Sequence, residues 1–148
     1  MDAAPPRSNY REMKIQRAEN AAILAGHAAA TKFFESCFDE NNGAREQLWV
    51  AHVDEGACCI HLEKYGDGRE ATVELPVRLI ISDAARLGSA GIFLAHNHPS
   101  GDAAPSTADC QATRKLARAA EAIDLALVDH LIFGAGHEVA SMRRMGLL

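Results

Sequence analysis

The sequence predicts a single mixed α/β domain. At 148 residues, 48% of them apolar, the chain is long enough to bury one proper core. Its apolar periodicity switches between helix-like and strand-like stretches in the order helix, hairpin, helix, strand, helix, strand. No apolar run approaches the roughly 18 residues of a membrane helix, and the N-terminus lacks a signal-peptide core. No membrane partner is therefore expected, and the expected location is cytoplasmic.

Residues 1–9, with Pro5, Pro6, Ser8 and Asn9, read as a loose leader. Residues 10–43 form an N-terminal helical segment. From Tyr10 to Phe38 it is alanine-rich, with Ile23, Leu24, Phe33, Phe34 and Phe38 among its apolar positions. Phe34 and Phe38 stand one turn apart as a contact face. A break is expected near Gly26 and a stop over Asp39-Glu40-Asn41-Asn42-Gly43. Such a helix caps the domain or supplies a homodimer interface. Leu48 to Val53 reads as a strand, Glu55-Gly56 as its turn and Ala57 to Glu63 as the returning strand. Tyr65 to Gly68 reads as another turn, and Ala71 to Leu75 as a short strand.

Val77 to Leu87 carries a helical pattern ended by Gly88. Ala90 to Ala95 is a short apolar strand led in by glycine. A helix follows from Thr107 to about Ile123, its buried face marked by Thr113, Leu116, Ala120 and Ile123. Leu125 to Phe133 is a strand, Gly134 to Gly136 a turn and Glu138 to Met142 a last extended piece. There is no internal repeat and no low-complexity segment.

The chemistry is concentrated in His96-Asn97-His98-Pro99-Ser100-Gly101-Asp102-Ala103-Ala104-Pro105-Ser106-Thr107-Ala108-Asp109. Residues two apart on an extended backbone point the same way, so His96 and His98 face one site from the end of the strand. Pro99 biases His98 towards extended geometry. Pro105 and Ser106 look like a helix start, with Ser106 as N-cap and Asp109 at the third helical position. The small-residue loop between them can fold back and bring Asp109 to the imidazoles. Two imidazoles and a carboxylate are a three-ligand set for catalytic zinc, with a fourth position left for water. The plainer alternative is a satisfied polar pair beside a capping box.

Fifteen basic against twenty acidic residues give a formal charge of −5, which disfavours non-specific nucleic-acid binding. Arg114, Lys115 and Arg118, and Arg7, Arg11, Lys14 and Arg17, read as solvated helix faces. Cys37, Cys58, Cys59 and Cys110 form no C-x-x-C pair and read as small apolar fillers in a reducing compartment.

The segment His96 to Asp109 resembles the H-x-H-x(10)-D signature of the JAMM (MPN-plus) metalloprotease family. The string HNHPSGDAAPSTAD is similar to the version carried by its RadC-like bacterial branch. The likeness continues through Leu127 to Gly134 and the Gly146-Leu147-Leu148 ending. It implies that residues 44–148 are a metal-dependent hydrolase domain of the JAB/MPN type, a cytidine-deaminase-like mixed-sheet α/β fold behind the N-terminal helix. It also implies Zn2+ held by His96, His98 and Asp109, and cleavage of a peptide or isopeptide bond, with a peptide or ubiquitin-like protein as substrate.

By the same resemblance the general base is a glutamate upstream of the two histidines. Glu46, just before the Leu48–Val53 strand, matches that position, with Glu74, Glu70 and Glu55 behind it. Ser106 matches the family serine whose hydroxyl supports the bound water or the oxyanion. Asp129 and Asn97 are candidates for orienting the imidazoles, while His130 reads as half of a structural pair with Asp129. RadC-like proteins often carry a helix-hairpin-helix module before this domain. No Gly-rich hairpin is seen here, so a DNA repair or nuclease role is the lesser alternative, alongside a non-catalytic MPN scaffold.

Other chemistries fail on motif. Ser100 has no G-x-S-x-G elbow. His61-Leu62-Glu63 spells H-x-E, but no downstream P-C-x-x-C accompanies it, and H-E-x-x-H is absent.

Overall fold

The computed structural model describes residues 22–38, 45–67 and 74–148. Their elements are α1 (His27–Glu35), β1 (Gln47–Val53), β2 (Cys59–Asp67), α2 (Val77–Leu87), β3 (Gly91–Asn97), α3 (Thr107–Glu121), β4 (Ala126–Phe133) and β5 (Val139–Ser141). The five strands form one sheet in the order β2-β1-β3-β4-β5. Only β3 and β4 run parallel, joined by α3 as crossover; the other neighbours are antiparallel. The predicted mixed α/β fold is the observed one.

Strand alternation divides the core between the two faces of the sheet. Leu48 and Val50 of β1, and Ile92 and Leu94 of β3, meet Ile80 and Ala84 of α2 and Leu116 and Ala120 of α3. On the other face Ala51, Val53, Phe93, Ala95 and Leu131 pack with Leu24, Ala30 and Phe34, two of them on α1. The helices thus cover both faces, and His96 falls on the α2/α3 side by continuing the Ile92-Leu94 row.

Helix limits follow local chemistry. Gly88 ends α2 in a left-handed conformation at φ 66°, and its N–H bonds Ala84 O and Ala85 O. Ser106 starts α3 through a capping box with Asp109. Of the face predicted on α3, Thr113, Leu116 and Ala120 are buried, whereas Ile123 lies beyond the helix and is 43% exposed.

Two expectations are corrected. Residues 22–24 are extended, not helical: Cys59 N–H bonds Ala22 O, Leu24 N–H bonds Ala57 O, and Ile23 bridges Cys58. Gly26, at φ 101°, sets the break that lets α1 begin at His27. Phe38 lies past α1 and stacks on Phe133 at 5.0 Å. Of the turn expected over 65–68, Tyr65, Gly66 and Asp67 are instead the end of β2, which pairs with β1 as far as Gln47 opposite Asp67, and Gly68 lies outside the described residues. Tyr65 is anchored there by donating to Asp83 Oδ2 at 2.6 Å. Glu74 and Leu75 are in irregular backbone. The rest of the strand expected at 71–75, the leader, most of the 10–43 segment including its 39–43 stop, and Glu70 lie outside the described residues.

The crossover sets the site. Because β3 and β4 are parallel with α3 between them, the C-terminal end of β3 and the N-terminus of α3 open on one crevice. β1 runs the other way, so its beginning reaches the same end, with Leu48 opposite His96.

Candidate metal centre

His96 ends the buried row of β3, and His98 follows it out of the strand with its N–H bonded to Phe133 O. Asp109 stands on the first turn of α3. There the Ser106 N–H donates to its Oδ2 at 2.8 Å, and Ser106 Oγ accepts from its N–H at 3.0 Å. Glu46 lies two residues before Leu48, on the same side of β1 by alternation, and is buried.

These four side chains converge. His96 Nε2 is 2.9 Å from His98 Nε2, 3.3 Å from Asp109 Oδ1 and 3.6 Å from Glu46 Oε1; His98 Nε2 is 3.1 Å from Asp109 Oδ2. One potential ligand atom from each of Glu46, His96, His98 and Asp109 lies within 4.8 Å of all the others. Ligand atoms placed ~2.1 Å from one tetrahedral zinc lie about 3.4 Å apart. The observed spacings bracket that value.

The hydrogen positions sharpen the fit. His98 Nδ1 is 2.8 Å from Asp102 O, a carbonyl that can only accept, so its hydrogen is on Nδ1. The Thr113 hydroxyl donates to Asp109 O at 2.7 Å, so it can only accept from His130 Nδ1 at 2.8 Å. Complete burial, reinforced by neighbouring His96, holds the pKa of His130 well below the ordinary histidine value. The neutral ring then offers a bare Nε2 to His96 Nδ1, 2.6 Å away. Both His96 and His98 are thereby assigned hydrogen on Nδ1 and a lone pair on Nε2. Partial burial raises the Asp109 pKa, but the hydrogen bond and charge of a protonated His96, with the N–H and side-chain hydrogen bonds of Ser106, outweigh it and keep the carboxyl ionised far below the usual carboxylate range. When both rings are neutral, two bare nitrogens and an ionised carboxylate face one another. Such an all-acceptor cluster fits a cation.

Residues 24–147 match the family model described as RadC-like JAB domain. The chain belongs to that family. A UPF0758 protein of Rhodobacter capsulatus is 40% identical to it over 103 residues, 70% of this chain and 48% of that protein. The UPF0758 protein YfjY of Escherichia coli (strain K12) is 35% identical over 104 residues, 70% of this chain and 64% of that protein. The chain thus spans from just under half to just under two thirds of these relatives' length.

Within this JAB domain, Ser106 is an exposed N-cap whose oxygen accepts from Asp109 N–H and whose side chain also hydrogen-bonds the Asp109 carboxylate. Glu74 and Glu55 are exposed and outside the cluster, so Glu46 alone of the described glutamates joins it.

The groups expected to orient the imidazoles are different ones. Asp129 accepts from the N–H groups of His130 and Arg143 and from Ser141 Oγ, and touches neither ligand ring. Asn97 points away from the imidazoles, to the backbone on either side of Glu46. The imidazole of His130, expected to pair with Asp129, instead bonds His96, and the Asp102 carbonyl serves His98.

All four cysteines are free and partly buried; burial raises Cys37 and Cys59 to about 11, which suits packing and not metal binding. Arg114, Lys115 and Arg118 are exposed on α3. No described helix is long and apolar enough to cross a membrane.

Proposed function

We propose that this JAB domain is a zinc-dependent amide hydrolase that cleaves a peptide or isopeptide bond. One observation carries the proposal: two imidazole Nε2 atoms and a carboxylate converge within 2.9–3.3 Å beside a buried glutamate. His96, His98 and Asp109 would hold the metal, three protein ligands being the pattern of catalytic zinc. When bound, the metal supplies Lewis acidity, acidifying a water and polarising the scissile carbonyl.

Glu46 does the proton work. Its buried carboxylate takes a proton from the attacking water and delivers it to the leaving nitrogen as the C–N bond breaks. Ser106 presents its hydroxyl hydrogen, released from the Asp109 carboxylate, to the carbonyl oxygen as negative charge develops there. Because Ser106 is fixed as an N-cap, that donor is already oriented before substrate arrives. The hydrogen bonds made at Nδ1 by both ligand imidazoles keep their Nε2 atoms turned to the site.

The test is metal content. Protein purified without chelator or a histidine tag is expected to carry about one zinc per chain, and the Asp109→Ala protein clearly less. No metal in either, after zinc has been offered, would remove the proposal.

A further inference from the structure

The hydrogen bonds behind His96 form a relay that starts on the residue His96 also faces in the site. It starts at the main-chain carbonyl of Asp109, which accepts from Thr113 Oγ1 one turn along α3 at 2.7 Å. Thr113 Oγ1 is 2.8 Å from His130 Nδ1, and His130 Nε2 is 2.6 Å from His96 Nδ1. His96 Nε2 then faces the carboxylate of the same Asp109 at 3.3 Å. Thr113, His130 and His96 are all buried, so water offers none of them an alternative partner.

We propose that His130 and Thr113 are positioning residues that dictate which nitrogen of His96 is bare. This rests on the metal-site reading. The direction of the relay is set at one end only. A carbonyl cannot donate, so Thr113 must give it the hydroxyl hydrogen, and because the buried His130 ring stays neutral each following bond takes its direction in turn. Removing the hydroxyl of Thr113 removes the acceptor for His130 Nδ1–H. His130 then gains by moving its hydrogen to Nε2 and donating it to His96 Nδ1. His96 must respond by carrying its own hydrogen on Nε2, where it points into the site and blocks coordination. A methyl-for-hydroxyl exchange that touches neither ligand ring thus closes a ligand. His98 is insulated from this switch, because its Nδ1 hydrogen is held by the backbone carbonyl of Asp102.

The relay also shows why an imidazole serves at position 130. It must accept on one edge and donate on the other, across the gap between a strand and a helix. Glutamine repeats the essential half, an oxygen that accepts from His96 Nδ1; leucine repeats none of it.

Two readouts test this separately from the metal proposal. The first is a long-range 1H–15N spectrum of the metal-free chain labelled in its histidines, which reports the tautomer of His96 directly. The expected result is hydrogen on Nδ1 in the parent and Thr113→Ser, and on Nε2 in Thr113→Val. The second is Zn2+ affinity by competition with a chromophoric chelator, alongside the thermal midpoint. Thr113→Val and His130→Leu are expected to bind Zn2+ about tenfold or more weakly, with Thr113→Ser and His130→Gln close to the parent. The His130 pair decides the question if Thr113→Val does not fold.

Hydrogen on His96 Nε2 in the parent would overturn the assignment. So would Thr113→Val, or His130→Leu, retaining the parent's tautomer and Zn2+ affinity. A parent that binds no Zn2+ removes the metal proposal alone, because the spectrum still reads the relay.

Discussion

Asn97 Oδ1 accepts a hydrogen bond from the Gln47 N–H at 2.7 Å, and its Nδ2 donates to Arg45 O at 2.9 Å. The last residue of β3 thereby grips both peptide groups that flank Glu46. The bond to Gln47 is fully buried, so its loss leaves a polar group unsatisfied, at a cost of about 1–3 kcal/mol. Under the proposed function, Asn97→Ala is expected to bind zinc as the parent does while losing about tenfold to a hundredfold in cleavage, because the proposed base is no longer held in place. Asn97→Asp is not expected to rescue it, since it faces Arg45 O with a second acceptor. Zinc content and turnover measured on the same preparations check this; unchanged turnover in Asn97→Ala would show that Glu46 needs no such grip.

Removing Glu46, the proposed base, should have a larger effect. Glu46→Gln preserves shape and removes only the ability to carry a proton. Cleavage is expected to fall about 10²–10⁴-fold with zinc retained, the usual contribution of a general acid–base group. A Glu46→Gln protein that cleaves at the parent rate would take Glu46 out of the chemistry.

The loop that carries His98 depends on a close backbone approach. A Cβ on Gly134 would lie 2.4 Å from Gly101 O and 2.9 Å from Ala103 N, where neither backbone can yield without moving the loop. That loop includes Asp102, whose carbonyl orients His98. Gly134→Ala is expected to lower stability by about 1–3 kcal/mol and to weaken Zn2+ binding. Gly56→Ala is the control, since its Cβ would meet only Asp54 Oδ1 at an ordinary 3.5 Å. Equal Zn2+ affinity in the two variants would show that the loop absorbs the added carbon.

Where local chemistry decides structure, the sequence is legible. The apolar period and Gly88 delimit α2, and Ser106 begins α3. Period-two alternation together with cap spacing brings His96, His98 and Asp109 to one site. Long-range pairing leaves no such mark. Gly66 and Asp67 have turn composition, yet Leu48 and Gln47 hold them in β2. Ile23 and Leu24 look like part of a helix and are instead captured by the start of β2. The position of Glu46 depends on Leu48 facing His96, a register that no neighbouring residue announces.

His130 is hidden most deeply: plain alternation from Leu127, on the α3 face, puts Asp129 on that face and turns His130 away. The pairing of β4 with β3 skips Val128, passing from Ile92–Leu127 to Phe93–Asp129 and Leu94–His130. That irregularity reverses the alternation and delivers the imidazole to His96.

A last prediction concerns the far end of β1. His52 is wholly buried, with Nδ1 3.0 Å from Ser89 Oγ and Nε2 3.1 Å from Tyr65 Oη. Tyr65 gives its own hydrogen to Asp83, so His52 donates to Tyr65 and accepts from Ser89, which fits a neutral ring. Burial is the main cause that lowers its pKa from 6.5 to about 4; His61 lowers it further and Asp83 opposes both. The unfolded chain therefore binds a proton here at a higher pH than the folded one. The stabilisation from neutral His52 is fully present above pH 6.5 and is lost as pH falls towards and through about 4. At ~1.4 kcal/mol per tenfold change in protonation, the loss comes to about 3 kcal/mol. Urea unfolding from neutral to acidic pH is expected to show this extra acid sensitivity in the parent and not in His52→Gln, which keeps polar groups there but cannot titrate. If the two proteins lost stability in parallel across that range, the acid sensitivity would have to come from carboxylates and not from this buried imidazole.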